Sequence, residues 1–246
     1  MGDIWLPDKA TSRYVIQTCL DLCERMWDDA DGDDYGRLQV RKAACIVVAG
    51  YYAALRGEEI GKADFGAIKE HWNQSIKYSV PNVSLMLSRK FKVITGLKLC
   101  CEPLAAVTKD GVNLSLWFSR YMTSLDVARV TVGPLFATEG GKSMSIGELD
   151  ILFHALLKEV QLKYPLVISP ETDAEADYSV YRSLCCGATS EAQNAGISEE
   201  VINAHNRWGK VMRAKGLKPG MSMMENYTDA QISAPTLIRF SLELPC

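Results

Sequence analysis

Histidine is scarce in this 246-residue chain, with three in total, and the eight cysteines never adopt the two-residue spacing of structural zinc pairs. His71, His154 and His205 lie far apart, and the close cysteines are the vicinal pairs Cys100–Cys101 and Cys185–Cys186 and the helical pair Cys19 and Cys23. From such a set no metal site is expected, and the thiols read as core residues. No stretch approaches the roughly 18 consecutive apolar residues of a membrane span, so no membrane partner is expected. A Walker pattern and a dinucleotide fingerprint are both missing, GPLFATEGGKS lacking the spacing, so no cofactor is expected either. The first residues, MGDIWLPDKATSRY, carry neither the basic patch nor the apolar run of a secretion signal. The expectation is an intracellular protein, nuclear if eukaryotic, with its cysteines as thiols.

What is present suits a globular protein: 48% apolar residues, 23% charged residues and a mean hydropathy of -0.04. The net charge of -3 hides a local imbalance, because residues 1–36 hold nine acids against Lys9, Arg13 and Arg25, leaving a positive surplus of three on the rest. That balance neither advertises a nucleic-acid binder nor excludes one. It does divide the chain into an acidic lead segment with one helix, residues 1–36, and a larger domain, residues 37–246.

Hydrophobic spacing gives the elements. Val15, Cys19, Leu22, Cys23 and Met26 predict an amphipathic helix over 12–27 that ends in DDADGDDYG. A second, nearly apolar helix is expected from about Leu38 to Leu55. Between Asn82 and Val107, short runs with a Gly-containing break read as two or three strands. Helices follow from Asp110 to Thr123, after a Ser145/Glu148 capping box, from Arg182 to Ala195, and from an N-cap at Ser198 to Lys210. The expected class is mainly α with a small antiparallel β-sheet. The terminal ISAPTLIRFSLEL suits either a core segment or a tail exchanged between protomers.

Outside those patterns lies a series of cations and one tyrosine. Arg56 stands in LRGEEI with Glu59 three residues on, Lys92 in SRKFKVITG on a predicted hairpin, Arg182 in SVYRSLCCGATSEAQNAG, Trp208 in HNRW and Tyr227 in ENYTD. In this order they resemble the catalytic domain of the tyrosine recombinases, the phage-integrase family, over about residues 45–231. The first box of that family is Gly-x-Arg-x-x-Glu-like, matched by Arg56 and Glu59 with Ala54 in place of Gly. Its hairpin lysine matches Lys92, with Lys90 a second candidate, its His or Trp matches Trp208, and its nucleophile matches Tyr227. Its His-x-x-Arg box reads Ser179-Val180-Tyr181-Arg182 here.

The resemblance implies breaking and rejoining of double-stranded DNA through a covalent 3′-phosphotyrosine, by copies that assemble on DNA. Attack by a phenol oxygen builds negative charge on the phosphate oxygens, which two planar guanidiniums suit. Arg56 and Arg182 take that role, Lys92 protonates the leaving 5′ oxygen, the Trp208 indole N–H binds the phosphate, and Tyr227 is the nucleophile. The basic run Arg207, Lys210, Arg213, Lys215 and Lys218 would contact the DNA backbone. Two departures weigh against full activity. Ser179 cannot carry the proton that the family's His supports, and Tyr178 beside it has an ordinary pKa of about 10; His205 is the stand-in the sequence offers. Only 55 residues precede Arg56, too few for a separate clamp domain. The alternative is therefore a catalytically inactive, integrase-derived DNA-binding or protein-interaction domain.

Overall fold

A computed structural model describes residues 9–29, 34–65, 82–89, 98–130, 132–206, 238 and 240–245. The predicted first stripe forms α1 (Arg13–Asp29), whose Val15, Ile16, Cys19, Leu22 and Cys23 are buried. The second helix, α2 (Asp34–Tyr52), starts about a turn earlier than expected, inside the acidic stretch. From Ala44 onward every residue of α2 is buried, so α2 is the central rod of the core. α1 lies along it and shares the same core cluster.

After the four-residue α3 (Gly57–Ile60), β1 (Asn82–Arg89) pairs antiparallel with β2 (Lys98–Ala105), in a register running from Asn82 opposite Ala105 to Arg89 opposite Lys98. These two strands are the sheet seen among the described residues. α4 (Leu114–Val127) is capped by Asn113, whose side chain accepts from Leu116 N at 2.9 Å. It lays Leu114, Trp117, Phe118 and Tyr121 against α2.

The capping box expected before α5 (Ile146–Lys163) is present: Ser145 Oγ accepts from Glu148 N at 3.3 Å, and Ser145 N donates to Glu148 Oε2 at 2.7 Å. The bonds that its carboxylate accepts from Ser145 N and, at 2.8 Å, from Ser145 Oγ hold the Glu148 carboxyl below its ordinary pKa. The inner face of α5 buries Leu149, Phe153, Leu156, Leu157 and Val160, and the helix stops just before Pro165, which cannot continue it.

α6 (Ala174–Asp177), α7 (Ser183–Asn194) and α8 (Glu199–His205) follow, and residues 238 and 240–243 are helical as well. Gly196, at φ +73°, turns the chain between α7 and α8 in a conformation that favours glycine. The described residues are thus mainly helical with one small hairpin. Of the terminal segment, for which the sequence allows two places, the described residues pack in the chain's own core: Ile238, Phe240 and Leu244 are buried. Ser241 Oγ accepts from Ala105 N at 2.7 Å, and Lys109 N donates to Leu242 O at 2.8 Å.

Candidate functional site

Arg56 sits where α2 ends and α3 begins. Ala54 has φ +45°, a left-handed conformation that ends α2 and lets Leu55 N return to Ala49 O at 3.4 Å. The chain then re-enters a helix with Arg56 as N-cap. Glu59 serves this start through the backbone: its Oε2 accepts from Arg56 N at 3.0 Å. The carboxylate three residues on thus fixes the main chain of the arginine, while the Arg56 side chain is exposed.

Arg182 is the N-cap of α7 and is also exposed, with Cζ 5.3 Å from the Tyr181 ring centroid. The turn before it is gripped by α5. Asp150 accepts from Ser179 Oγ at 3.0 Å and from Val180 N at 2.7 Å, and His154 Nε2 donates to Tyr178 O at 2.6 Å. Asp150 and His154 are four residues apart and so lie on one face of α5. Ser179 Oγ also accepts from Tyr181 N at 3.1 Å, which closes the turn. A strap formed by residues 9–12 crosses above: Lys9 N donates to Asp177 O at 2.7 Å and Thr11 N to Ser183 O at 3.0 Å. It can cross because Gly187 has no side chain; a Cβ there would stand 1.9 Å from Thr11 O.

The two arginine turns meet. Gly57, next to Arg56, lies so close to the second turn that an added Cβ would be 3.0 Å from Val180 Cγ2 and 3.3 Å from Tyr181 Cα. Arg56 is also near enough to Cys185, in the first turn of α7, for its charge to act on that thiol. Residues 126 positions apart in sequence, Arg56 and Arg182, therefore occupy one corner, both exposed and both beside helix starts. Such a corner offers planar, permanently charged donors to an oxyanion.

The remaining expectations divide in two. Ser179 lies in this corner with its hydroxyl committed to Asp150, and burial pushes the neighbouring Tyr178 phenol further above its ordinary pKa. His205 lies inside the core: it is buried, its Nε2 donates to Tyr52 O at 3.0 Å, and its ring stacks on Phe240 with centroids 3.7 Å apart. This packing places it as a strut between α8 and the end of α2. Lys92, Lys90, Trp208 and Tyr227 lie outside the described residues, as do Arg207, Lys210, Arg213, Lys215 and Lys218. The chain is last described before them at Asn206, whose Nδ2 donates to Thr189 Oγ1 of α7 at 3.0 Å.

Sequence reasoning missed the Asp150 and His154 grip and the Gly187 crossing. The four-residue spacing of Asp150 and His154 was the one available signal for the grip. Beside it runs an open groove of about 600 Å³ lined by Gly147, Asp150, Ile151, His154, Lys158 and Glu175, which contains neither arginine. No cluster of three or more His, Cys, Asp or Glu suited to a metal occurs among the described residues. Nor is any helix among them long and apolar enough to cross a membrane. No protein-family model matches the chain, and no curated protein does.

Proposed function

We propose that this protein breaks and rejoins double-stranded DNA through a covalent 3′-phosphotyrosine, in the manner of the tyrosine recombinases that its sequence resembles. The observation that carries this reading is the meeting of the two arginine turns, with Gly57 against Tyr181 Cα. The two guanidiniums grip the non-bridging oxygens of the scissile phosphate and stabilise the charge that develops there. The Tyr227 phenol oxygen attacks phosphorus, the bond to the 5′ oxygen breaks, and Lys92 supplies that oxygen with its proton. Trp208 donates its indole N–H to the phosphate. The phosphotyrosine conserves the phosphodiester's energy, so a 5′ hydroxyl attacking it reverses the step. The run from Arg207 to Lys218 holds the DNA backbone, and copies assemble on DNA for strand exchange.

Nicked duplex DNA that loses its short 5′ product on cleavage traps the covalent intermediate. Wild-type protein is expected to give an adduct resistant to denaturation, Tyr227→Phe none, and Tyr181→Phe an undiminished amount. Absence of any adduct from wild type overturns the enzymatic reading. A specific observation favours a second reading, an inactive derivative that still binds DNA: Ser179 occupies the place of the family's proton-transferring His and spends its hydroxyl on Asp150. Salt-sensitive DNA retention without covalent capture distinguishes it.

A further inference from the structure

Among the five cysteines whose side chains are described, Cys19, Cys23, Cys45 and Cys185 are buried, and Cys186 alone reaches solvent. Burial pushes the thiols of Cys19 and Cys45 well up and that of Cys23 to about 12, so these stay protonated and unreactive. Cys186 has a different setting. On α7, Cys186 and Ser190 continue the exposed side begun by Arg182, each four residues from the last, and Glu191, Gln193 and Asn194 near the end of the helix are partly or fully exposed as well. Side chains at that spacing are neighbours, with Cβ atoms about 5–6 Å apart. The adjacent Cys185 thiol donates to Arg182 O at 3.2 Å, and the neighbouring Cys186 thiol and burial push its pKa up, against the opposing positive charge of Arg56. A vicinal pair of thiols, one of them partly exposed, therefore lies in the first turn of the helix that Arg182 caps, at the corner where the Arg56 turn meets it.

We infer that Cys185 and Cys186 form a modification site selective for small anionic disulfides, the chemical class of oxidised glutathione, with Cys186 the attacking sulfur. The Cys186 thiol gives its proton to solvent, and the thiolate attacks one sulfur of the disulfide. A bond between Cys186 and that sulfur forms as the original S–S bond breaks, and the other half leaves as a thiolate; the disulfide is the only oxidant required. Arg56 and Arg182 attract the carboxylates of the incoming reagent, while Cys185 stays in the core with its thiol bonded to Arg182 O. The product sets carboxylates against both guanidiniums. On the DNA-cleaving reading above, on which this consequence rests, the mixed disulfide blocks the phosphate site until a reducing thiol removes it.

The test compares two probe disulfides on the folded full chain, a dianionic nitrobenzoate disulfide and uncharged dithiodipyridine, with labelling at Cys186 followed by peptide mass and a free thiol peptide as the reference. The ratio of anionic to neutral rates at Cys186 is expected to exceed that of the peptide and to fall about tenfold in Arg56→Gln/Arg182→Gln. Raising the ionic strength should lower it in wild type too, which gives the same readout without a variant. Cys186→Ser removes the label from that peptide. No labelling of Cys186 in folded protein, or a ratio that neither salt nor loss of the arginines changes, overturns the site. Glutathionylated protein is then tested for DNA retention. Loss of retention supports the blocking role, and undiminished retention overturns it. A protein that never retains DNA but shows the charge-dependent ratio keeps the thiol site and loses the DNA reading.

Discussion

The turn that carries Arg56 is held by its own neighbours, with Ala54 reversing the chain and Glu59 capping the backbone three residues on. The turn that carries Arg182 is held from far along the sequence, by Asp150 and His154 on α5 and by the strap at residues 9–12. Both deliver an exposed guanidinium to one corner. They differ in which hydrogen bonds close them: the first turn is closed within α2 and α3, with His205 and Val180 packed on it from outside, whereas the second is closed by α5, α7 and the strap together. Distant substitutions should therefore loosen Arg182 while leaving Arg56 in position.

The largest such effect is expected at Gly187. Alanine is the better helix former by about 1 kcal/mol, and in an open helix Gly187→Ala would stabilise. Here the new methyl overlaps a backbone carbonyl that stands 1.9 Å from its position, and the strap must lift, losing the bonds that Thr11 and Lys9 make to Ser183 and Asp177. Overpacking of this kind costs about 1–3 kcal/mol and each lost hydrogen bond about 1 more. The net expectation is a loss of about 3 kcal/mol in urea unfolding, with faster amide exchange around Ser183. A neutral or stabilising result would mean that the strap does not hold the second turn.

A smaller loss, about 2 kcal/mol, is expected for Asp150→Ala. Bonds to a charged acceptor are each worth about 1.5–3 kcal/mol, but Asp150 is only partly buried and water replaces part of what is lost. The comparison sharpens in a double-mutant cycle on affinity for a short DNA duplex. Once Arg182 is replaced by alanine, removing Asp150 should cost little further affinity, whereas with Arg56→Ala its effect should persist in full. Additivity of Asp150→Ala with Arg182→Ala would show that Asp150 does not act through the second turn.

The same contrast explains what could be read from the sequence. The α1 stripe and the Ser145/Glu148 box are set by contacts three or four residues apart, and the hairpin by pairing within one short stretch from Asn82 to Ala105, which local pattern exposes. The first arginine turn shares that property, since Glu59 caps Arg56 within one turn. The second turn does not. Asp150 and His154 bond to backbone atoms of residues 178–180, and backbone atoms leave no signature in the residue alphabet. His205 shows the reverse difficulty. Histidine suggested a proton carrier, but its position at the end of α8 makes it a core strut on Tyr52 and Phe240, a role that depends on where the terminal segment returns.

Ala54 gives the smallest expected effect and the closest test of how the first turn is built. An L residue in the left-handed region costs about 1–2 kcal/mol, which Ala54→Gly would relieve. Against that stand the greater freedom of glycine in the unfolded chain, about 0.5–1 kcal/mol, and the loss of one buried methyl, about 0.8 kcal/mol, since Ala54 is 3% exposed. The terms nearly cancel, so Ala54→Gly should change stability by less than about 0.5 kcal/mol. Ala54→Val should instead destabilise by about 2 kcal/mol or more, because a β-branched side chain is poorly accommodated at φ +45° and has no space to enter. A near-neutral glycine beside a damaging valine would establish that backbone handedness, and not the methyl group, is what this position contributes to placing Arg56. A glycine variant losing more than about 1.5 kcal/mol would instead assign the turn to side-chain burial, and would make the first arginine as dependent on the surrounding core as the second.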